Sequence, residues 1–176
     1  EPEGKSSSAV EQAVNVLEAA TLGVARGSIQ LGYNRLLPRD VGRTRALFDN
    51  LERVPYGPVD PEVVLLRVDG LDGKPRAILV HYAAHAVVLG PTNSKYSADY
   101  PGVMKATVAR ALPGTEVMFV QGGAGDINPL FQGRSGVEEN DFRVVERMGT
   151  LLAEEVIRIN SRVSAVPAAA EGIDAR

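Results

Sequence analysis

The chain has 176 residues, 44% hydrophobic and 5% aromatic, and a formal charge of −3. This length suffices for one domain with a buried core, and an acidic balance without a dense Lys/Arg cluster argues against a nucleic-acid partner. The lack of cysteine excludes disulfides and zinc-thiolate sites, and no apolar run is long enough to be a membrane span.

The N-terminal part is predicted to form a helix followed by a strand. Ser8 and Glu11 make a capping box, and apolar residues recur at helical spacing after it, which predicts a helix over residues 9–26. Residues 28–33 alternate as a strand does. The proline- and arginine-rich segment 34–61 is harder to interpret: it is either a solvated loop or a loop that faces a substrate.

The middle of the chain predicts a hairpin and then a βαβ unit. Residues 62–68 and 76–82 read as two strands joined by turn residues. The second strand is apolar on both faces, as a covered central strand is. Helical spacing around residues 101–111 and an apolar run at 116–120 complete a βαβ unit with parallel strands. The fold class is therefore α/β, with helices packed on a mixed, partly parallel sheet.

The C-terminal part is predicted to hold a glycine-rich loop, one helix and a tail. The loop covers residues 121–140, and Asn140 or Asp141 caps an amphipathic helix that ends near residue 160. Residues 1–160 are assigned to one domain, and residues 161–176 to a disordered Ala/Pro tail.

Polar residues follow the two strands of the βαβ unit where each strand ends. They are His85, Asn93, Ser97 and Asp99 after the first strand, and Gln121, Gly125, Asp126 and Asn128 after the second. Loops at the carboxyl ends of neighbouring parallel strands converge over a shared crevice. We therefore expect His85 to lie beside the Gly125–Pro129 turn, and the side chains of His85 and Asn128 to face a common cavity.

The two histidines have different interpretations. They are four residues apart, and on a strand that spacing is about 13 Å, too far for both rings to bind one ion. His81 is predicted to be a buried, hydrogen-bonded histidine, and His85 is the candidate with a metal or catalytic role.

Several of the other candidates also have a purely structural interpretation. Asp126 and its neighbours can form a tight turn in which the carboxylate binds its own backbone amides. Asn93 can form an Asx turn, Ser97 can supply a turn hydroxyl, and Asp99 can cap the following helix.

Three segments together resemble the neutral/alkaline ceramidase family of zinc amidohydrolases: LGPTN after His85, SADYPG at residues 97–102 and GDINP at residues 125–129. The resemblance implies that His85 is a zinc ligand. In the family a second histidine lies upstream, and a glutamate and a tyrosine lie toward the C-terminus; none has a counterpart here. The resemblance thus implies a central part of the catalytic domain, which would not hold Zn²⁺ alone and would have the remainder of that domain as a partner.

The resemblance also implies roles for the second loop. GDINP matches a family turn with serine at the position of Asn128, so Asn128 would polarise the scissile carbonyl as amides do in oxyanion holes, beside Asp126. Asp99, Asn93, Gln121 and Gly125 would contact the substrate or orient the metal ligand.

The function predicted from this resemblance is zinc-dependent hydrolysis of an amide bond in a small molecule or lipid, not necessarily ceramide. The substrate could lie at a membrane surface, and the protein would be secreted or associated with the cell envelope. The alternative is a non-catalytic binding or scaffold domain, which the replacement of serine by Asn128 favours. A metal-free α/β esterase is disfavoured because the chain has no GxSxG motif.

Overall fold

A computed structural model describes residues 2–39, 42–131 and 141–167. The helices are α1 (Pro2–Asn15), α2 (Asp99–Ala111) and α3 (Phe142–Asn160). The strands are β1 (Ala20–Ser28), β2 (Gly32–Asn34), β3 (Leu36–Pro38), β4 (Thr44–Ala46), β5 (Glu62–Gly70), β6 (Pro75–Tyr82), β7 (Glu116–Gln121), β8 (Ile127–Pro129) and β9 (Val166–Pro167). None of the described helices has the length and hydropathy that a membrane span needs.

The main sheet has the strand order β7-β6-β5-β1-β9. Strands β5 and β6 pair antiparallel, which confirms the predicted hairpin, and β6 pairs parallel with β7 through the crossover helix α2, which confirms the βαβ unit. The predicted fold class is therefore correct. The parallel pair brings the ends of β6 and β7 to one edge, where Tyr82 is level with Gln121.

Helices α2 and α3 cover one face of this sheet and form the core with it. On β6 the inward residues Ile78, Val80 and Tyr82 are buried, as the alternation of a strand requires. The Tyr100 ring of α2 meets Phe119 of β7 edge-on, with centroids 5.8 Å apart. Each such large apolar side chain stabilises the fold by about 1.5–3 kcal/mol when fully buried.

The predicted helix over residues 9–26 is wrong in its second half. Helix α1 ends at Asn15, and the chain from Ala20 to Ser28 is strand β1, paired with β5 along its whole length. Small residues of β1 face α3: a Cβ on Gly27 would lie 2.0 Å from the Glu155 carboxylate. Strand pairing with close helix packing outweighs the helical spacing of the apolar residues.

Two short sheets lie outside the main one, in part of the chain predicted as loop. Strand β2 pairs with β8, and β3 pairs with β4. The strand predicted over residues 28–33 is also corrected, because β1 ends at Ser28 and β2 begins at Gly32. The β2–β8 pair ties the start of segment 34–61 to the Gly125–Pro129 turn.

The start of α3 agrees with the sequence. Asp141 is its N-cap, and its Oδ1 accepts a hydrogen bond from the Arg143 amide at 2.9 Å. Within the predicted tail, Val166 and Pro167 pair with β1. Residues 132–140, with the other cap candidate Asn140, and residues 168–176 lie outside the described part of the chain.

Candidate functional site at the ends of strands 6 and 7

The start of α2 holds the loop that carries His85. The Tyr100 hydroxyl donates a hydrogen bond of 2.6 Å to the carbonyl of Ala84, and both groups are buried. The amide of Leu89 donates to Asp99 Oδ2 at 3.4 Å. Two consecutive residues of the helix therefore fix the loop on both sides of His85.

Asp99 is a buried carboxylate in an unusual backbone conformation. Its φ is +50°, which non-glycine residues rarely adopt. Its Oδ1 accepts from the Tyr100 amide at 2.7 Å, and its own amide donates to Ser97 Oγ at 2.9 Å. Burial raises the pKa of this carboxyl, and bonds from backbone amides oppose the shift. The N-cap residue of α2 is Ala98, so Asp99 binds the first turn from inside the helix rather than from the predicted cap position.

Asn93 and Ser97 make the local bonds that their structural interpretations require. Asn93 Oδ1 accepts from the Lys95 amide at 3.1 Å, and its Nδ2 donates to the Lys95 carbonyl at 2.8 Å. Both side chains therefore shape the loop between β6 and α2.

The Gly125–Pro129 turn is held by β2 and the residue after it. Asn34 Nδ2 donates to Asp126 Oδ2 at 2.7 Å, and the Arg35 amide donates to the Asp126 carbonyl at 2.9 Å. The prediction that the Asp126 carboxylate binds its own backbone amides is corrected, since its bond reaches across to Asn34. This contact fixes the turn relative to β2.

His85 lies directly beside this turn, as the topology predicted. Its amide donates to the Ile127 carbonyl at 3.0 Å, and its ring Nδ1 is 3.1 Å from the same oxygen. A carbonyl oxygen can only accept, so Nδ1 carries the hydrogen. In the neutral ring Nε2 is then the lone-pair nitrogen.

Asn128 is almost completely enclosed, with 2% of its surface exposed. Its Oδ1 accepts from Arg35 Nη1 at 3.1 Å, and its Nδ2 lies 3.4 Å from the Tyr33 hydroxyl. Asn128 directly follows Ile127, whose carbonyl binds His85. A common cavity for the two side chains remains a prediction.

Arg35 is the site residue that the sequence analysis did not single out. Besides Asn128 it reaches the Gly125 carbonyl, 2.9 Å from Nη2, and its guanidinium lies 5.3 Å from the Phe48 ring centroid. The only sequence feature that could have indicated Arg35 is its position after Asn34, at the start of the long polar segment 34–61. The contacts depend on the β2–β8 pairing, which is not visible in the sequence.

His81 and Gln121 lie beside the ends of the same strands. His81 is only half-buried, and its buried Nδ1 has no hydrogen-bond partner among the described residues, so the prediction of a buried, hydrogen-bonded histidine is wrong. A Cβ on Gly122 would lie 2.7 Å from His81 Nε2, so glycine allows this close approach. Gln121 is exposed, and its Nε2 donates to the Gly122 carbonyl at 3.2 Å.

A metal site would need several donors in one place. In the parts of the chain that the structure describes, no three or more His, Asp or Glu residues are grouped closely enough to hold an ion. His85 therefore lies apart from any complete ligand set formed by these residues.

Comparison with known proteins gives a likeness in fold. No family model matches the chain, and no curated protein matches it. The chain is similar to the crystal structure of a neutral ceramidase from Pseudomonas aeruginosa, with a TM-score of 0.64 and 17% identity over 87% of this chain and 24% of that one. A ceramidase complexed with C2 gives a TM-score of 0.65 and 17% identity, over 86% and 24%. The chain thus spans about a quarter of the length of these ceramidases, and at this identity the likeness shows the fold alone.

Proposed function

We propose that the chain is part of a zinc-dependent hydrolase that cleaves the C–N bond of a lipid amide or a related N-acyl compound. The observation that carries the proposal is the bond between His85 Nδ1 and the Ile127 carbonyl, 3.1 Å long. It joins the two loops that resemble the ceramidase motifs and fixes which ring nitrogen is presented. The fold likeness to ceramidases supports the same reaction class.

The hydrogen bond of the His85 ring is of the kind that a metal-binding histidine makes. Histidines that bind metal through one nitrogen usually donate the other N–H to a carboxylate or a backbone carbonyl, which fixes the tautomer and the ring. His85 has this arrangement, with Nε2 as the ligand atom. A catalytic zinc site needs three protein ligands, and the described residues do not supply them. They therefore do not fit a complete zinc site by themselves, and the remaining ligands must come from other residues.

The turn residues take positioning and polarising roles. Since Arg35 donates to Asn128 Oδ1, the donor end of the amide is Nδ2, which lies 3.4 Å from the Tyr33 hydroxyl. To polarise a scissile carbonyl, this N–H has to turn from Tyr33 to the substrate oxygen. Asp126 acts through Asn34, whose Nδ2 donates a hydrogen bond of 2.7 Å to its carboxylate. This bond fixes the turn relative to β2.

The test uses the longest native form of the protein, assayed for metal content and for hydrolysis of ceramide and of a simpler fatty-acyl amide. We expect His85→Ala to lower both zinc content and kcat/KM, the latter by about 100-fold or more. His81→Ala removes the chain's other histidine and is the matched control, with both values close to wild type. Unfolding curves of both variants check that the fold survives.

Two results would contradict the proposal. If His85→Ala keeps wild-type zinc content and activity, His85 has no part in the reaction. If the wild-type protein binds zinc stoichiometrically but hydrolyses no acyl amide, the domain is a non-catalytic binding module.

A further inference from the structure

The β3–β4 hairpin carries three exposed arginines on one side. Leu37 of β3 is level with Arg45 of β4, and the amide of Arg39 donates to the carbonyl of Arg43 at 2.8 Å, which continues the same pairing toward the turn. Residues opposite each other in an antiparallel pair, and residues two apart on one strand, point to the same side. Arg39, Arg43 and Arg45 are therefore neighbours on one side of the hairpin, and all three are exposed. We call this surface the arginine face.

The same side of the hairpin leads to the candidate site. The pairing extends back to Arg35, whose carbonyl accepts a hydrogen bond of 2.6 Å from the Leu47 amide. Arg35 therefore lies on the same side as Arg39, and its guanidinium donates to Asn128 in the Gly125–Pro129 turn. Arg39 is four residues further along the chain, about 13 Å away at about 3.3 Å per residue. The arginine face thus begins next to the residue that contacts the turn.

The arginine face is a local concentration of positive charge on an acidic chain. Residues 35–47 contain four arginines and one acidic residue, whereas the whole chain has a formal charge of −3. None of Arg39, Arg43 and Arg45 forms an ion pair with a residue that the structure describes. Like charges directly opposite each other destabilise a strand pair, and a two-stranded hairpin is only marginally stable. A bound anion removes this repulsion, so the arrangement suits the binding of negative charge.

Exposed apolar side chains in the same segment favour lipid as the source of the negative charge. Leu36 of β3, Phe48 after β4 and Leu51 are 39%, 42% and 62% exposed. Segments that lie on membranes combine such side chains with Lys or Arg, because the apolar groups enter the headgroup boundary while the cations meet anionic lipids. Binding of a free phosphate ion would leave these leucines in water.

We propose that the arginine face binds the anionic headgroups of a lipid bilayer and brings the candidate site to the membrane surface. An N-acyl substrate held in the bilayer then reaches the site without first dissolving in water. This consequence for the substrate rests on the proposed function. The binding itself involves only the hairpin and is measured without turnover.

The experiment measures cosedimentation of the longest native form of the protein with two kinds of vesicle. One is phosphatidylcholine alone, and the other is phosphatidylcholine mixed with phosphatidylserine. We expect clearly tighter binding to the mixed vesicles, and loss of the difference in about 1 M salt, where charges are screened within about 3 Å. A variant with Arg39→Gln, Arg43→Gln and Arg45→Gln should bind the mixed vesicles about 100-fold more weakly, from about fivefold per arginine.

A matched control removes three positive charges elsewhere on the surface. Lys74→Gln in the β5–β6 turn, with Lys105→Gln and Arg110→Gln on α2, changes three exposed residues and should bind within about threefold of the wild type, because screened charges act over about 10 Å or less. Lysine at the three positions of the arginine face keeps the charge and should keep the binding. A site that holds one phosphate ion in bidentate fashion would lose it.

Three results would overturn the proposal. The first is equal binding to both kinds of vesicle, or wild-type binding by the glutamine variant. The second is release from the vesicles by inorganic phosphate at constant ionic strength, which would indicate a site for a free ion. The third is unfolding of the glutamine variant at lower urea concentration in the absence of vesicles, which would show that the arginines pair within the protein. If the protein binds anionic vesicles as expected but hydrolyses no acyl amide, the proposed function fails and the membrane contact stands.

Discussion

Replacing Arg35 with alanine should destabilise the turn that carries Asn128 and binds His85 through the Ile127 carbonyl. Two hydrogen bonds are lost, to Asn128 Oδ1 at 3.1 Å and to the Gly125 carbonyl at 2.9 Å. A bond from a charged donor contributes about 1.5–3 kcal/mol. The bond to Gly125 is solvent-exposed, so water replaces most of it, whereas Asn128 is buried. With about 0.5–1 kcal/mol from the Phe48 contact, the expected loss is about 2–4 kcal/mol.

The assay is urea unfolding of the wild type, the Arg35→Ala and Asn128→Ala single variants and the double variant. The coupling energy should be about 1–2 kcal/mol, because the two side chains are in direct contact. Arg35→Lys should recover about half of the loss, since one ammonium cannot reach both acceptors. Arg45→Ala removes an exposed arginine of the same segment and should change the free energy of unfolding by less than about 0.5 kcal/mol. A coupling energy near zero would refute the stabilising contact between Arg35 and Asn128.

Three further changes test the surroundings of the site. Tyr100→Phe leaves the Ala84 carbonyl without the donor at 2.6 Å, so calorimetry should show a loss of about 1–3 kcal/mol, and unchanged stability would contradict this. Gly149→Ala places a Cβ 2.5 Å from that of Val103, which should push α2 and α3 apart and cost about 1–3 kcal/mol in urea unfolding; a neutral change would show that the helices can separate freely. Because burial raises the pKa of Asp99 above its usual 3.8, the folded chain binds this proton more tightly than the unfolded chain. The wild type should therefore gain stability relative to Asp99→Asn as the pH falls from neutral toward 3.8, and a gain in the opposite direction would be inconsistent with the raised pKa.

The sequence predicted the βαβ unit and the hairpin because their signals are local. Apolar runs, turn residues and the helical spacing of α2 all agree there. In β1 they conflict, because Gly23 and Gly27 face inward and Leu22 and Val24 face outward, so the usual correlation of size with burial is reversed. The strand is set by its pairing with β5 and its contact with α3, which spacing alone does not reveal.

The site was predicted in part for the same reason. His85 and the Gly125–Pro129 turn follow from strand order, since parallel neighbours end at one edge. Arg35 and Asn34 reach the turn only through the β2–β8 register, and three-residue strands leave little periodicity to detect. The burial and hydrogen bonding of His81 were predicted from its apolar neighbours in the sequence. These neighbours do not indicate whether Nδ1 finds a hydrogen-bond partner.

The most direct test of the site is the tautomer of His85, observed by nitrogen-15 NMR at a pH where the ring is neutral. Only two histidines contribute ring signals, and His85→Ala assigns them. The structure requires hydrogen on Nδ1, donated to the Ile127 carbonyl, and a lone pair on Nε2. A spectrum in which Nε2 of His85 carries the hydrogen would contradict the bond that joins the two loops, and with it the proposed role of His85.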